Sequence, residues 1–244
     1  MPAADSREIP NGRGYKSFLK PTAGRKGLAN AAWSPKTLRD HSYLSFGERG
    51  IHYWLQFQPN VIDIREQYPC FDPEELAAYR DSGRRIPRNK VMTLDFLLTL
   101  APTDDKPLRH VAISVKEQRE LEDGESVWER FARERRFCGE HGWAYTIYTE
   151  KEVSREVARR ARRVAHWASD SDLATDAQDA NRIAKLMPRG TTCVELDTLM
   201  DDAARELKCT RDNAYRFLSV AAMLGFVKFD FSHEVRGSSK VTFK

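Results

Sequence analysis

The order of apolar patterns predicts a mixed α/β domain of roughly 150 residues followed by a smaller helical module. Three observations carry this. Two apolar-rich runs, 91–100 and 108–116, flank a turn at 101–107 and read as a hairpin with at least one buried face. Segments with helical spacing lie on either side of that hairpin. Beyond residue 179 the pattern changes to three helical stretches and two short apolar runs.

Taken in order, residues 1–40 are rich in Gly, Pro, Ser and basic side chains and sustain no apolar period. They are expected to form an arm that wraps, or becomes ordered on binding. Its glycines, at 12, 14, 24 and 27, follow no strand, which argues against a phosphate-binding loop. Tyr43, Phe46, Tyr53, Trp54 and Phe57 fall near a helical period over 43–58, although Gly47 and Gly50 weaken it. Pro59-Asn60 breaks that helix, and 61–68 reads as a short strand. An acidic helix and a basic turn fill 72–90. After the hairpin, 118–138 is a charged helix, with Trp128, Phe131 and Phe137 as its apolar stripe, and 143–149 is a further strand. Trp128 and Trp143 are expected in the core and Cys138 is read as a small buried hydrophobe.

Residues 151–168 form an Arg-rich helix, and the Asp-rich stretch after it reads as a linker. Helices at 179–187, 194–207 and 210–224, the last with Thr210 as N-cap, precede runs at 226–231 and 240–243 that pair as a wing. The expected domains are therefore a basic arm (1–40), an α/β domain (41–152), an Arg-rich helix and linker (153–180) and a winged-helix-like domain (181–244).

Composition narrows the function classes. The chain has 244 residues, 31% of them charged, with a mean hydropathy of −0.63. Its longest apolar stretch, 220–227, is too short to span a bilayer, and the N-terminus has no apolar signal region. An intracellular protein with no membrane partner is expected. The net charge of +4 neither demands nor excludes a polyanion, but residues 1–40 hold eight Lys or Arg against three acids. Cys70, Cys138, Cys193 and Cys209 form no C-x-x-C pair and the histidines no paired spacing, which argues against structural zinc.

The chemistry concentrates on the hairpin. Asp95 interrupts an apolar strand, and the partner strand ends Ser114-Val115-Lys116, which puts Ser114 and Lys116 on one face. A carboxylate and a lysine on adjacent strands suit Mg²⁺-dependent hydrolysis of DNA. The carboxylate holds the metal, and the lysine positions the attacking water and offsets phosphate charge. An acidic residue is commonest at the middle position, and Ser114 departs from it. An acid and a lysine on a hairpin are also common without any catalytic role.

Four collinear blocks add to this. Val61-Ile62-Asp63-Ile64-Arg65-Glu66-Gln67-Tyr68-Pro69 resembles the V-x-D-I-R-E-Q-[FY]-P strand of the TnsA family of transposon-end endonucleases. Ser45-Phe46-Gly47-Glu48 is similar to that family's S-D-x-E, 92–97 to its M-S-T-D-F-L, and 112–116 to its A-I-Q-V-K. Residues 129–136 and 143–153 are similar to the helix and strand that follow. The resemblance spans about residues 10–155 and implies a restriction-endonuclease-like nuclease core, a mixed sheet flanked by helices. It implies that Glu48 and Asp95 bind Mg²⁺, with Mn²⁺ as substitute, that Lys116 is the catalytic lysine, and that Ser114 stands where the family has a Gln ligand.

The resemblance further implies cleavage of the 5′, non-transferred strands at transposon ends, beside a TnsB-like transposase and a TnsC-like ATPase regulator that meets the C-terminal domain. It implies a bacterial cytoplasmic, nucleoid-associated protein. Arg13, Lys16, Arg25, Lys26, Arg159 and Arg163 are the expected DNA contacts; the Arg-rich helix can equally be a solvated face. Asp63, Arg65 and Glu66 read as a surface or subunit-facing salt-bridge cluster. A restriction- or repair-type nuclease of the same core, or an inactive winged-helix regulator, are the alternatives.

Overall fold

A computed structural model describes residues 3–19, 30–71, 77–79, 81–83, 87, 91–122 and 125–244. Arg25, Lys26 and most of the helix and turn expected over 72–90 lie outside the described residues. Two compact units divide the chain. Unit 1 comprises Met1–Ala32, Asp40–Glu48 and Ile62–Glu152; unit 2 comprises Trp33–Arg39, Arg49–Val61 and Val153–Lys244.

The elements begin with a two-stranded sheet, β1 (Asn30–Ser34) and β2 (Arg39–Tyr43), where the sequence suggested an arm. Helix α1 (Phe46–Leu55) follows, shorter than the 43–58 expected because Ser45 caps it. Unit 1 is built on a four-stranded sheet in the order β3 (Val61–Cys70), β4 (Met92–Leu100), β5 (Arg109–Val115), β6 (Ala144–Tyr148). Strands β4 and β5 are antiparallel, with Phe96 opposite Ile113 and Leu97 opposite Ala112. Strands β5 and β6 are parallel, connected through α2 (Glu125–Glu140). Every residue of β4 after Met92 is buried, as befits an interior strand covered on both faces.

The unit 1 core gathers Tyr68, Leu94, Leu97, Ala112, Phe137, Cys138 and Trp143, and it includes Tyr15 from the N-terminal segment. That segment is not a detached arm. Tyr15 donates its hydroxyl to the Glu66 carbonyl at 2.8 Å, and Arg7 donates to the Pro69 carbonyl at 2.8 Å while its guanidinium lies over the rings of Tyr68 and Phe137. Trp128, expected in the core, is half exposed; its indole N–H donates to the Leu121 carbonyl at the neighbouring 3-10 turn.

Unit 2 contains α3 (Arg155–His166), α4 (Leu173–Ala184), β7 (Gly190–Thr191), α5 (Leu196–Leu207), α6 (Arg211–Leu224) and β8 (Thr242–Phe243). The expected Asp-rich linker is largely α4. Asp172 caps it by accepting from Ala174 N at 2.8 Å, and Ala180 and Ile183 are buried. Small alanines packed at close range carry little hydrophobic signal in a sequence, which is why the segment read as a linker. The expected wing pairing is also altered. Strand β8 pairs antiparallel with β7, and the 226–231 run contributes a single bridge, Phe229 to Phe243. Gly50 lies against α3, where an added Cβ would come within 3.0 Å of Ala158 Cβ.

Candidate active site

Ser45 opens α1 as its N-cap, three residues before Glu48. Ser45 Oγ accepts from Glu48 N at 3.1 Å and donates to Glu48 Oε1 at 2.9 Å. Glu48 Oε2 accepts from Leu44 N at 3.1 Å and from Gln67 Nε2 at 3.1 Å. These bonds hold the Glu48 carboxylate inward, where the residue is 6% exposed.

Asp95 sits on β4, buried, and one further step of the β4–β5 register sets it across from Ser114. Its Oδ2 accepts from Val115 N at 2.7 Å, and its Oδ1 faces Gln67 Nε2 at 3.5 Å. One glutamine amide thus touches both carboxylates. Burial and the neighbouring charge of Asp95 push Glu48 up to about 7. Burial likewise raises Asp95, opposed by the Val115 N–H and by the positive charges of Arg130 and Lys116. Lys116, just beyond β5, has its ammonium 3.9 Å from Glu120 and remains partly exposed.

Ser114 does not join them through its hydroxyl. Its Oγ donates to Glu134 Oε2, which also accepts from Tyr145 OH at 2.9 Å, while Arg130 Nε donates to Glu134 Oε1 at 2.7 Å. Glu134 is fully buried, so this group is one closed network. Ser114 was expected to offer its side chain to a metal; its hydroxyl hydrogen is given to Glu134 on α2.

Glu48, Asp95 and the amide of Gln67 are therefore the groups that could hold a cation. Among the described residues no cluster of three or more His, Cys, Asp and Glu is gathered to bind a metal. Two carboxylates with neutral oxygens nearby still fit Mg²⁺, which keeps several waters and completes its shell with substrate phosphate. The mutual repulsion of two buried carboxylates is relieved by such a cation.

Sequence reasoning missed Gln67 and Glu134. Gln67 stood in view inside the Asp63–Pro69 motif, and Glu134 is spaced one helical turn from Arg130. Asp63, Arg65 and Glu66, expected at a surface, are fully buried. Arg65 pairs with Asp5 at 2.6 Å and Asp63 at 3.5 Å, and Glu66 pairs with His41 at 2.8 Å. In place of a surface cluster they form a buried clasp on the N-terminal segment.

The expected DNA contacts divide. Arg13 and Lys16 are exposed. In unit 2, Arg163 donates to Glu234 and to the Val235 carbonyl, and Arg160 to the Phe231 and Ser232 carbonyls, so these two fasten α3 to the 231–235 segment. Arg159 is 49% exposed, with Glu234 at 3.4 Å.

Residues 58–150, which hold Gln67, Asp95, Ser114, Lys116 and Glu134 but not Glu48, match the family model of the TnsA-like endonuclease N-terminal domain. The chain is also 29% identical over 197 residues to the transposon Tn7 transposition protein TnsA of Escherichia coli, covering 75% of this chain and 67% of that protein. With its mixed sheet flanked by helices and its two facing carboxylates, the chain is similar to TnsA-like endonucleases and carries their N-terminal domain over residues 58–150.

Proposed function

We propose that the protein is the Mg²⁺-dependent DNA endonuclease of a heteromeric transposase, cutting the 5′, non-transferred strands at transposon ends in cut-and-paste transposition. The observation that carries this is the meeting of buried Glu48 and Asp95 around one glutamine amide, with Lys116 just past the end of the adjoining strand.

Bound Mg²⁺ supplies charge neutralisation at the phosphate and a more acidic attacking water. Glu48 and Asp95 supply the anionic oxygens that hold it. The Val115 N–H fixes one Asp95 oxygen, so the other is the one presented to a ligand. The Lys116 ammonium offsets charge on the cleaved phosphate and orients the water. Mn²⁺, with the same preference for oxygen, substitutes. Arg13, Lys16, Arg25, Lys26 and Arg159 follow the DNA backbone; Arg163 contributes less directly because Glu234 already occupies it.

The partners proposed are a TnsB-like transposase for the 3′ ends and a TnsC-like ATPase regulator that docks on the C-terminal domain, in a bacterial cytoplasm at the nucleoid. The helix–strand–helix–helix–strand order of 173–243 supports a winged-helix-like reading of that domain. Its charges favour protein docking over a DNA groove. Arg211, at the start of α6, is paired with Asp201 at 2.5 Å, and Arg205 is paired with Asp202. An open cleft lined by Arg163, Trp167, Asp197, Arg211 and Tyr215 presents both charge signs.

The test is nicking of a supercoiled plasmid carrying transposon ends, with the partner transposase and Mg²⁺. Asp95→Ala and Lys116→Ala are expected to abolish 5′-strand cleavage and leave 3′ cleavage by the partner intact. Equal nicking by Asp95→Ala removes the metal-site reading.

A further inference from the structure

Gln67 has a backbone and a set of contacts that a sheet residue does not need. It lies inside β3 with φ +49°, the left-handed region, where a side chain costs about 1–2 kcal/mol. Its neighbours hold it there. Glu66 accepts from His41 and from Ser42 N, and Tyr68 donates to Asp5 at 2.7 Å. A left-handed residue interrupts the alternation of a strand. The Gln67 amide is thereby laid against Glu48 and Asp95, almost fully buried, and Thr93 Oγ1 donates to its Oε1 at 3.0 Å.

A hard divalent cation between two carboxylates takes further oxygen ligands. The Ser114 hydroxyl hydrogen is given to Glu134, which turns that short side chain toward α2. Gln67 has an oxygen at the other end of its amide, one half-turn of the last torsion away. That turn leaves no polar atom stranded, because a threonine hydroxyl accepts as readily as it donates. Thr93 would donate to the oxygen in one orientation and accept from the N–H in the other.

We propose that Gln67 is a ligand of the divalent cation, reached by turning over its amide so that Oε1 replaces Nε2 between Glu48 and Asp95. The proposal rests on the nuclease reading and deepens it: the neutral oxygen ligand comes from β3 instead of from the Ser114 side chain on β5. The strained strand residue then has a purpose, since only that backbone bend directs a side chain from β3 into the carboxylate pair.

The test is direct cation binding by the full-length purified chain, with the exposed Cys193 changed to Ser in every variant. Free Mn²⁺ is followed by electron paramagnetic resonance and Cd²⁺ by competition. Gln67→Ala is expected to weaken Mn²⁺ binding more than tenfold, Gln67→Glu to restore it, and Ser114→Ala to stay within threefold of the parent. Gln67→Met is close in length and puts a soft sulfur near the site; it is expected to raise the Cd²⁺-to-Mn²⁺ affinity ratio more than threefold, which a residue that only spaces the carboxylates would not do. Melting curves in EDTA identify any variant that fails to fold, and Gln67→Met, which preserves volume, then decides the matter. An unchanged metal ratio in Gln67→Met, or Mn²⁺ binding within threefold of the parent in a folded Gln67→Ala, overturns the proposal. Asp95→Ala separates the two levels. If it keeps Mn²⁺, the metal site itself is wrong; if it loses Mn²⁺ while Gln67→Ala keeps it, only the role of Gln67 is wrong.

Discussion

Glu48 serves two purposes that pull against each other. As the third residue of α1 it is fastened to Ser45 and Leu44, and as half of a carboxylate pair it is buried beside Asp95. Its pKa is raised to about 7 from the ordinary 4.5 of a glutamate, first by burial and then by that neighbour. The folded state therefore binds the proton more tightly than the unfolded chain. Between about pH 4.5 and 7 stability falls as pH rises, and above 7 the full cost of the buried charge is carried. Glu48→Gln removes that charge and keeps the length. In EDTA at pH 8 it is expected to melt about 2–4 °C higher than the parent, with the gap closing near pH 4.5, while nicking falls at least about a hundredfold. A lower melting point at pH 8 would sink this account. Mg²⁺ should raise the parent's melting temperature more at pH 8 than at pH 5, because the carboxylates it binds are then ionised.

At the scale of elements, two junctions decide whether the units hold their shape. The first is the clasp of the N-terminal segment on β3. Arg65 and Asp5 have no exposed side-chain surface, and Tyr68 donates to the same carboxylate. Burial alone would raise the Asp5 pKa, but hydrogen bonds from Tyr68, the Arg7 N–H and Arg65 hold it below the usual range. Asp5→Ala leaves a buried guanidinium short of a partner, at a cost of about 3–5 kcal/mol. Urea unfolding should show that loss, and hydrogen exchange should show β3 opening first. The second junction is the end of α6, where Gly225 has φ +82° and an added Cβ would lie 2.6 Å from Pro59 Cγ. Gly225→Ala meets both backbone strain and a clash with a rigid ring, so a loss above about 1 kcal/mol is expected in the same assay. A neutral result would mean that Pro59 moves freely.

For the whole molecule, the net charge of +4 conceals opposing regions. Arg13 and Lys16 are exposed in unit 1, whereas much of the arginine in α3 and α6 is paired with acids inside unit 2. DNA affinity in isolation is expected to be weak and salt-sensitive. Changing Arg13 and Lys16 together to Ala should reduce the slope of log K against log salt by about 2, measured by fluorescence anisotropy on transposon-end duplex. An unchanged slope would place the DNA path elsewhere. No described helix is long and apolar enough to cross a membrane.

The strands and helices of the site were legible because their patterns are local. The alternation and apolar density of 91–100 and 108–116 predict the hairpin, and four motifs in order point to Glu48, Asp95 and Lys116. Thr210 reads as a cap for the same reason, since capping involves residues three apart. Other features were not legible because they depend on residues far apart in the chain. Asp63, Arg65 and Glu66 look like solvent-facing charges until residues 3–15 fold over them. Helix α4 looks like a linker until its alanines find α6. The bond from the Ser114 hydroxyl to Glu134, twenty residues on, is announced by no local pattern. Residue types and their spacing singled out Glu48, Asp95 and Lys116 as candidates for metal chemistry, but not Gln67. How those side chains meet depends on directions in space, and that was settled only when β3, β4, β5 and α2 packed together and the left-handed turn at Gln67 brought its amide to two buried carboxylates.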